Sequence, residues 1–272
     1  RLLLWSDNVV VGIFLGPIAV TFYAIGGNLI DSLRNVLQSV AAVFVPLATS
    51  FDARGDRADL RLLFLRGSRL TLLLILPAIF GFIALGEDFI SLWMGTRYAE
   101  LSSAVLTLLA IPTLFAPLML TSHQILYGIS RHKYNAYFSI AEAVANLGLS
   151  ILLVHRMGLL GVAWGTVIPA LVVEAVIVPC YTARQLDLRW SRCYWESWLQ
   201  PVLASLPYAG LLLLFHALGV SRTWWGLCTT LACGLPFYGA FVWFVALSSS
   251  EREMLVGHVK STWQQASCSF GW

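Results

Sequence analysis

The chain has 272 residues, 58% of them hydrophobic and 11% charged, with a formal net charge of +3 and a mean hydropathy of +0.78. An ordinary soluble domain carries about 25% charged residues, so this composition excludes a water-soluble surface and leaves no room for a large soluble domain. It accommodates roughly eight transmembrane helices of about 20 residues joined by short connections.

Apolar segments occupy residues 2–15, 18–48, 62–85, 101–127, 134–154, 160–183, 199–218 and 224–247, separated by polar or Gly/Pro punctuation. They predict eight helices, the first incomplete. The chain opens on Arg1 rather than Met and turns apolar at once. It lacks the n-region and cleavage site of a signal peptide, so it reads as a fragment of a longer protein. Gly16-Pro17 closes the first hairpin, because Pro cannot continue a helix and pushes its predecessor toward extended backbone. The segment 18–48 exceeds a span and is expected to tilt, kink or begin in the interface. Pro46, Pro77, Pro112, Pro117, Pro169 and Pro179 interrupt spans, while Gly158, Gly161 and Gly165 permit close backbone approach. Bendable, closely packed helices suit an alternating-access transporter.

Lys and Arg set the expected orientation. Arg54, Arg57, Arg61, Arg66, Arg69, Arg131, Lys133, Arg184, Arg189, Arg192, Arg252 and Lys260 all fall on one side of the eight-span arrangement, against Arg97, Arg156 and Arg222 on the other. The basic side, with the C-terminus, is therefore read as cytoplasmic. The Trp-rich runs at 190–198 and 224–225 lie near span ends, as interfacial anchors do.

Ionisable residues inside a membrane are costly and so are functional candidates by default. Asp7 lies in the first helix; Asp31 and Arg34 share a face of the second; Glu142 and Glu174 lie in the fifth and sixth. Arg34 has three readings: a salt bridge to Asp31, a helix-interface position, or a cation facing a hydrated cavity, where its planar fork can take two phosphate oxygens. Asn28, Asn35 and Gln38 fall on the same broad face, which is expected to meet water or polar ligand. Asp7 is either a proton or cation site or the partner of Arg34. Glu142 and Glu174, with Asn146 one turn beyond Glu142, are either interhelical hydrogen-bond groups or proton carriers. His123 and Gln124 lie within the fourth span, and His123 receives no role.

No HExxH, GxSxG, P-loop or paired-acid loop is present. Cys180, Cys193, Cys228, Cys233 and Cys268 show no metal-ligand or disulfide spacing. The expectation is a non-enzyme with no catalytic residue, no metal and no cofactor.

The stretch Asp7-Asn8-Val9-Val10-Val11-Gly12-Ile13-Phe14-Leu15-Gly16-Pro17, followed by Tyr23-Ala24-Ile25, resembles the seventh-to-eighth helix junction of polysaccharide flippases. These belong to the multidrug/oligosaccharidyl-lipid/polysaccharide exporter superfamily, and the likeness is to O-antigen-type members. Pro46 before a basic loop, Leu92-Trp93-Met94-Gly95 with Tyr98, Gly128-Ile129-Ser130-Arg131, Asn146 and Gly158-Leu159-Leu160-Gly161-Val162-Ala163-Trp164-Gly165 resemble that family's later helices and keep its order. The resemblance covers about residues 7–184.

It implies an all-α, polytopic transmembrane bundle of about eight spans. Residues 1–184 would form a MATE-like C-lobe truncated at its N-terminus, 185–247 two accessory helices, and 248–272 a cytoplasmic tail. The implied function is movement of an undecaprenyl-pyrophosphate-linked oligosaccharide across the bacterial cytoplasmic (inner) membrane by alternating access, for lipopolysaccharide or exopolysaccharide synthesis. Arg34, Asn35, Gln38 and Asn28 would contact substrate, and Asp7, Asp31 and Glu142 would couple to a proton or sodium gradient. Expected partners are the lipid-linked oligosaccharide, membrane lipid and the missing N-terminal lobe, without which no transport is expected; no nucleic acid is implied. Alternatives are a multidrug cation antiporter of the same superfamily, a peptidoglycan-precursor flippase, a membrane-embedded glycosyltransferase or polymerase, and a non-transporting scaffold.

Overall fold

The computed structural model describes residues 2–246, with side chains for residues 6–244. The tail at 248–272, assigned above to the cytoplasm, lies outside the described residues. Among these residues every regular element is a helix: α1 Leu2–Leu15, α2 Pro17–Ala41, α3 Phe44–Ala53, α4 Arg57–Met94, α5 Thr96–Thr113, α6 Ala116–Gly128, α7 Lys133–Met157, α8 Leu159–Ala170, α9 Val178–Gln185, α10 Trp190–Tyr194, α11 Gln200–Ala217 and α12 Trp224–Phe241. Wider π-helical turns at Leu171–Ile177 and Trp195–Leu199 join α8 to α9 and α10 to α11 without a loop.

Six helical stretches are long and apolar enough to cross a membrane, and α5–α6, bent by 46°, makes a seventh. With the 14-residue α1 these are the eight segments read from the sequence. The penultimate one starts earlier than read, at Trp190, because α10 runs straight into α11. The breaks follow the prolines. Pro17 begins α2 after Gly16, whose φ of 85° is open to a residue without Cβ. Pro46 has no N–H for the carbonyl of Ala42, and the chain breaks there between α2 and α3. Pro112 and Pro117 flank the α5–α6 bend.

The burial pattern of α7 identifies its solvent. Its buried positions include Asn135, Glu142, Asn146 and Ser150, whereas Tyr137, Ile140, Val144 and Ile151 are exposed. That is the inverse of a helix in water, and it is what hydrocarbon demands. The chain is a multi-pass membrane protein. Close approach substitutes for a hydrophobic drive between helices: a Cβ on Gly165 of α8 would run into the backbone and hydroxyl of Ser150 on α7, and one on Gly26 of α2 would lie 2.7 Å from the carbonyl of Ser102 on α5.

Residues 190–241 fasten onto α4 along much of its length. Pro77 inside α4 cannot donate to the Leu73 carbonyl. The Tyr238 hydroxyl of α12 donates to that carbonyl at 2.6 Å, and Tyr208 of α11 donates to the Pro77 carbonyl at 3.5 Å. Ser197 Oγ donates to the Leu65 carbonyl at 3.1 Å. At the α5–α6 bend Trp198 Nε1 donates to the Leu114 carbonyl at 3.1 Å, its ring stacked 4.5 Å from Phe115. Near the far end of α4, Asp88 accepts from Ser221 Oγ and meets His216 Nδ1 at 2.7 Å. At the basic end, Arg57 Nη1 and Arg61 Nε donate to the carbonyls of Gln185 and Leu186 at 2.9 and 2.6 Å, satisfying the end of α9.

Candidate functional site

Two polar clusters lie inside the bundle, one above the other. The first gathers α1, α2, α7 and α8. Asp7, fully buried, accepts at Oδ2 from the Tyr23 hydroxyl at 2.9 Å and from Thr166 Oγ1 at 2.7 Å. Asn146 Nδ2 donates to the same Thr166 Oγ1 at 2.9 Å, so the threonine relays between amide and carboxylate. Asp7 Oδ1 and Asn146 Oδ1 are buried with no hydrogen-bond partner among the described residues. An acceptor left so in low dielectric is costly, and a proton or small cation would relieve it.

The second cluster gathers α2, α5, α7 and the π-helical turn after α8. Arg34 Nη1 and Nη2 donate to Glu174 Oε1 and Oε2 at 2.9 and 3.3 Å, a bidentate fork. Its Nε donates to Thr113 Oγ1 at 3.4 Å, beside the α5–α6 bend. The side chain of Glu174 is 1% exposed and that of Arg34 26% exposed. Glu142 of α7 is buried within electrostatic reach of both. The widened turn at 171–177 carries Glu174 between Pro169 and Pro179, an interruption of the kind that often marks functional positions.

Helix rise places the clusters at different depths. Tyr23 and Thr166 are each about 10 Å from the α1–α2 and α7–α8 turns, whereas Arg34 and Glu174 are about 22–25 Å from them. α7 carries Asn146 in one cluster and Glu142 in the other, one turn apart.

The geometry answers several expectations. Asp7 does not meet Arg34: Tyr23, its partner, precedes Arg34 on α2 by about 16 Å of helix. The carboxylate that Arg34 grips is Glu174, 140 residues away. Among the described residues the hydrogen bonds of Arg34 go to Thr113 and Glu174 and not to Asn28, Asn35 or Gln38, although these border it on α2. Each lies on the exposed face of α2 with Ser32 and Ser39, whose hydroxyls bond back to the Asn28 and Asn35 carbonyls at 2.8 and 3.0 Å. The 100° turn per residue carries Asn35 off to one side while the guanidinium of Arg34 turns inward. Asp31 is partly buried and lies within electrostatic reach of Tyr23. Thr166, Tyr23 and Thr113 were absent from the sequence-derived site, and a hydroxyl in an apolar run offers no signal that would single it out. His123, half-buried on α6, gives its backbone carbonyl to Asn135 Nδ2 at 3.1 Å. Among the described residues no group of three His, Cys, Asp or Glu side chains could hold a metal ion.

Residues 3–103 match a protein family described as polysaccharide biosynthesis protein. The chain is also 22% identical over 268 residues to the uncharacterized membrane protein EpsK of Bacillus subtilis (strain 168), an alignment covering 96% of this chain and 52% of EpsK. The chain thus spans about half the length of that relative. No solved structure matches it. The similarity is to a polysaccharide biosynthesis protein family over residues 3–103 and to a membrane protein over most of the chain.

Proposed function

We propose that the chain forms one lobe of a flippase that carries an undecaprenyl-pyrophosphate-linked oligosaccharide across the bacterial cytoplasmic membrane, its basic end and C-terminus in the cytoplasm. A sugar head group cannot enter hydrocarbon, so such a protein needs a hydrated polar face that opens to each side in turn. The exposed stripe of Asn28, Ser32, Asn35, Gln38 and Ser39 on α2 is a face of that kind. The observation that carries the reading is Arg34, a partly exposed guanidinium beside that stripe whose bidentate grip on a carboxylate is the geometry that takes a diphosphate. Asp31 and the buried Asp7 and Glu142 supply protonatable groups at two depths, which is the requirement for coupling to a proton or sodium gradient. No covalent step is involved.

Reconstitution of a protein containing this chain in proteoliposomes, with a fluorescent undecaprenyl-pyrophosphate oligosaccharide, tests the assignment. Arg34→Ala is expected to cut flipping about a hundredfold, the worth of two charge-assisted hydrogen bonds of ~1.5 kcal/mol each. Arg34→Lys should retain part of the activity. Full activity of the Ala variant would overturn the assignment.

One observation favours the cation-antiporter alternative: Asp7, Glu142 and Glu174 are three buried carboxylates, whereas Arg34 is only partly buried. That reading is adopted instead if a lipophilic drug cation is transported and the lipid-linked sugar is not.

A further inference from the structure

Away from both clusters, a groove opens between α4, α5, α8 and α11 near the α4–α5 turn. It consists of two adjoining clefts of ≈ 590 and ≈ 490 Å³ that share Glu87, Glu100 and His216. From Thr96 at its mouth to Leu108 at its floor the groove follows α5 for about 18 Å, the depth of one leaflet of a ~30 Å hydrocarbon layer. Its walls change character on the way. Ile83, Leu108, Leu160 and Leu213 line one cleft and Arg222 the other, while Glu87 and Glu100 border both.

The charges at the mouth select the occupant. His216 and Ser221 already engage Asp88, but among the described residues no ion pair engages Glu87, Glu100 or Arg222. A ligand there meets two carboxylates and one guanidinium above an apolar trough. We propose that the groove binds one phospholipid of the phosphatidylethanolamine type, from the leaflet facing the α4–α5 turn. Its primary ammonium lies between Glu87 and Glu100, its phosphate on Arg222, and one acyl chain along Ile83, Leu108 and Leu160. An anionic headgroup has no cation for the carboxylates, and choline has no N–H to donate to them. A lipid diphosphate would bring its charge against Glu87, Asp88 and Glu100. The lipid would thereby bridge α5 and α8 to α11, the helix that also closes on Pro77.

Native mass spectrometry of the purified protein, offered equal amounts of phosphatidylethanolamine, phosphatidylcholine and phosphatidylglycerol, reads the preference. Ethanolamine lipid should be retained about tenfold over the other two, the value of one charge-assisted hydrogen bond. Glu87→Gln with Glu100→Gln should level the three, and Arg222→Gln should weaken them all. Glu87, Glu100 and Arg222 are exposed, so folding is not at stake, and an unchanged thermal transition confirms it. Equal retention by the unaltered protein, a preference that survives the double substitution, undiminished retention in Arg222→Gln, or displacement by undecaprenyl pyrophosphate would each overturn the proposal.

Discussion

The Arg34–Glu174 fork is a buried charge pair in which each member makes the other tolerable. Removing one leaves the other charge in low dielectric, which costs about 3–5 kcal/mol in fully buried pairs; the partial exposure of Arg34 places this one toward the lower end. Glu174→Leu alone should therefore lower the thermal unfolding temperature in detergent sharply. Arg34→Leu combined with Glu174→Leu should recover most of the loss, because two apolar groups replace a mutually dependent pair. Costs that simply add in the double variant would mean that the two side chains do not depend on each other. The partner in this pair was not readable from the chain. Asp31, one turn from Arg34, is the nearer neighbour in sequence, and only the packing of α2 and the widened turn against the same helices, α5 and α6, brings in Glu174 from 140 residues away. Asp7 shows the same limit: its acidity and apolar setting are visible in the sequence, but its meeting with Tyr23 and Thr166 depends on how four helices converge.

At the scale of elements, the helices were legible because a membrane imposes one demand, apolar side chains on lipid-facing backbone, and the prolines announce where that backbone is interrupted. What prolines do not announce is who satisfies the carbonyls they leave behind. In α4 the Leu73 carbonyl, deprived of a donor by Pro77, is met by Tyr238 from a helix 165 residues further on. A double-mutant cycle can isolate that contact. Tyr238→Phe should destabilise by about 0.6–1.7 kcal/mol, the range for hydrogen bonds between membrane helices. In a Pro77→Ala background, where the substituted residue again carries an N–H for the Leu73 carbonyl, the same change should cost less. Equal costs in both backgrounds would show that the tyrosine does not answer the proline.

At the scale of the whole molecule, the basic residues concentrate at one end, where Arg57 and Arg61 close the end of α9. That asymmetry predicts the topology. In a background without native cysteines, a membrane-impermeant thiol reagent added to intact cells should label Arg97→Cys and should reach Arg54→Cys only after permeabilisation. The reverse pattern would place the basic face outside and would invert the direction of every step proposed here.

The Arg34–Glu174 pair also determines how the molecule meets a voltage. A neutral pair buried far from either turn presents the transmembrane field with almost no charge to move, and the resting potential does little work on it. If a ligand separates the partners, each becomes a charge that the field can drive, worth up to ~2.3 kcal/mol per 100 mV for a full crossing. An energised membrane then acts selectively on the opened pair, so the fork is electrically silent when closed and voltage-sensitive when engaged.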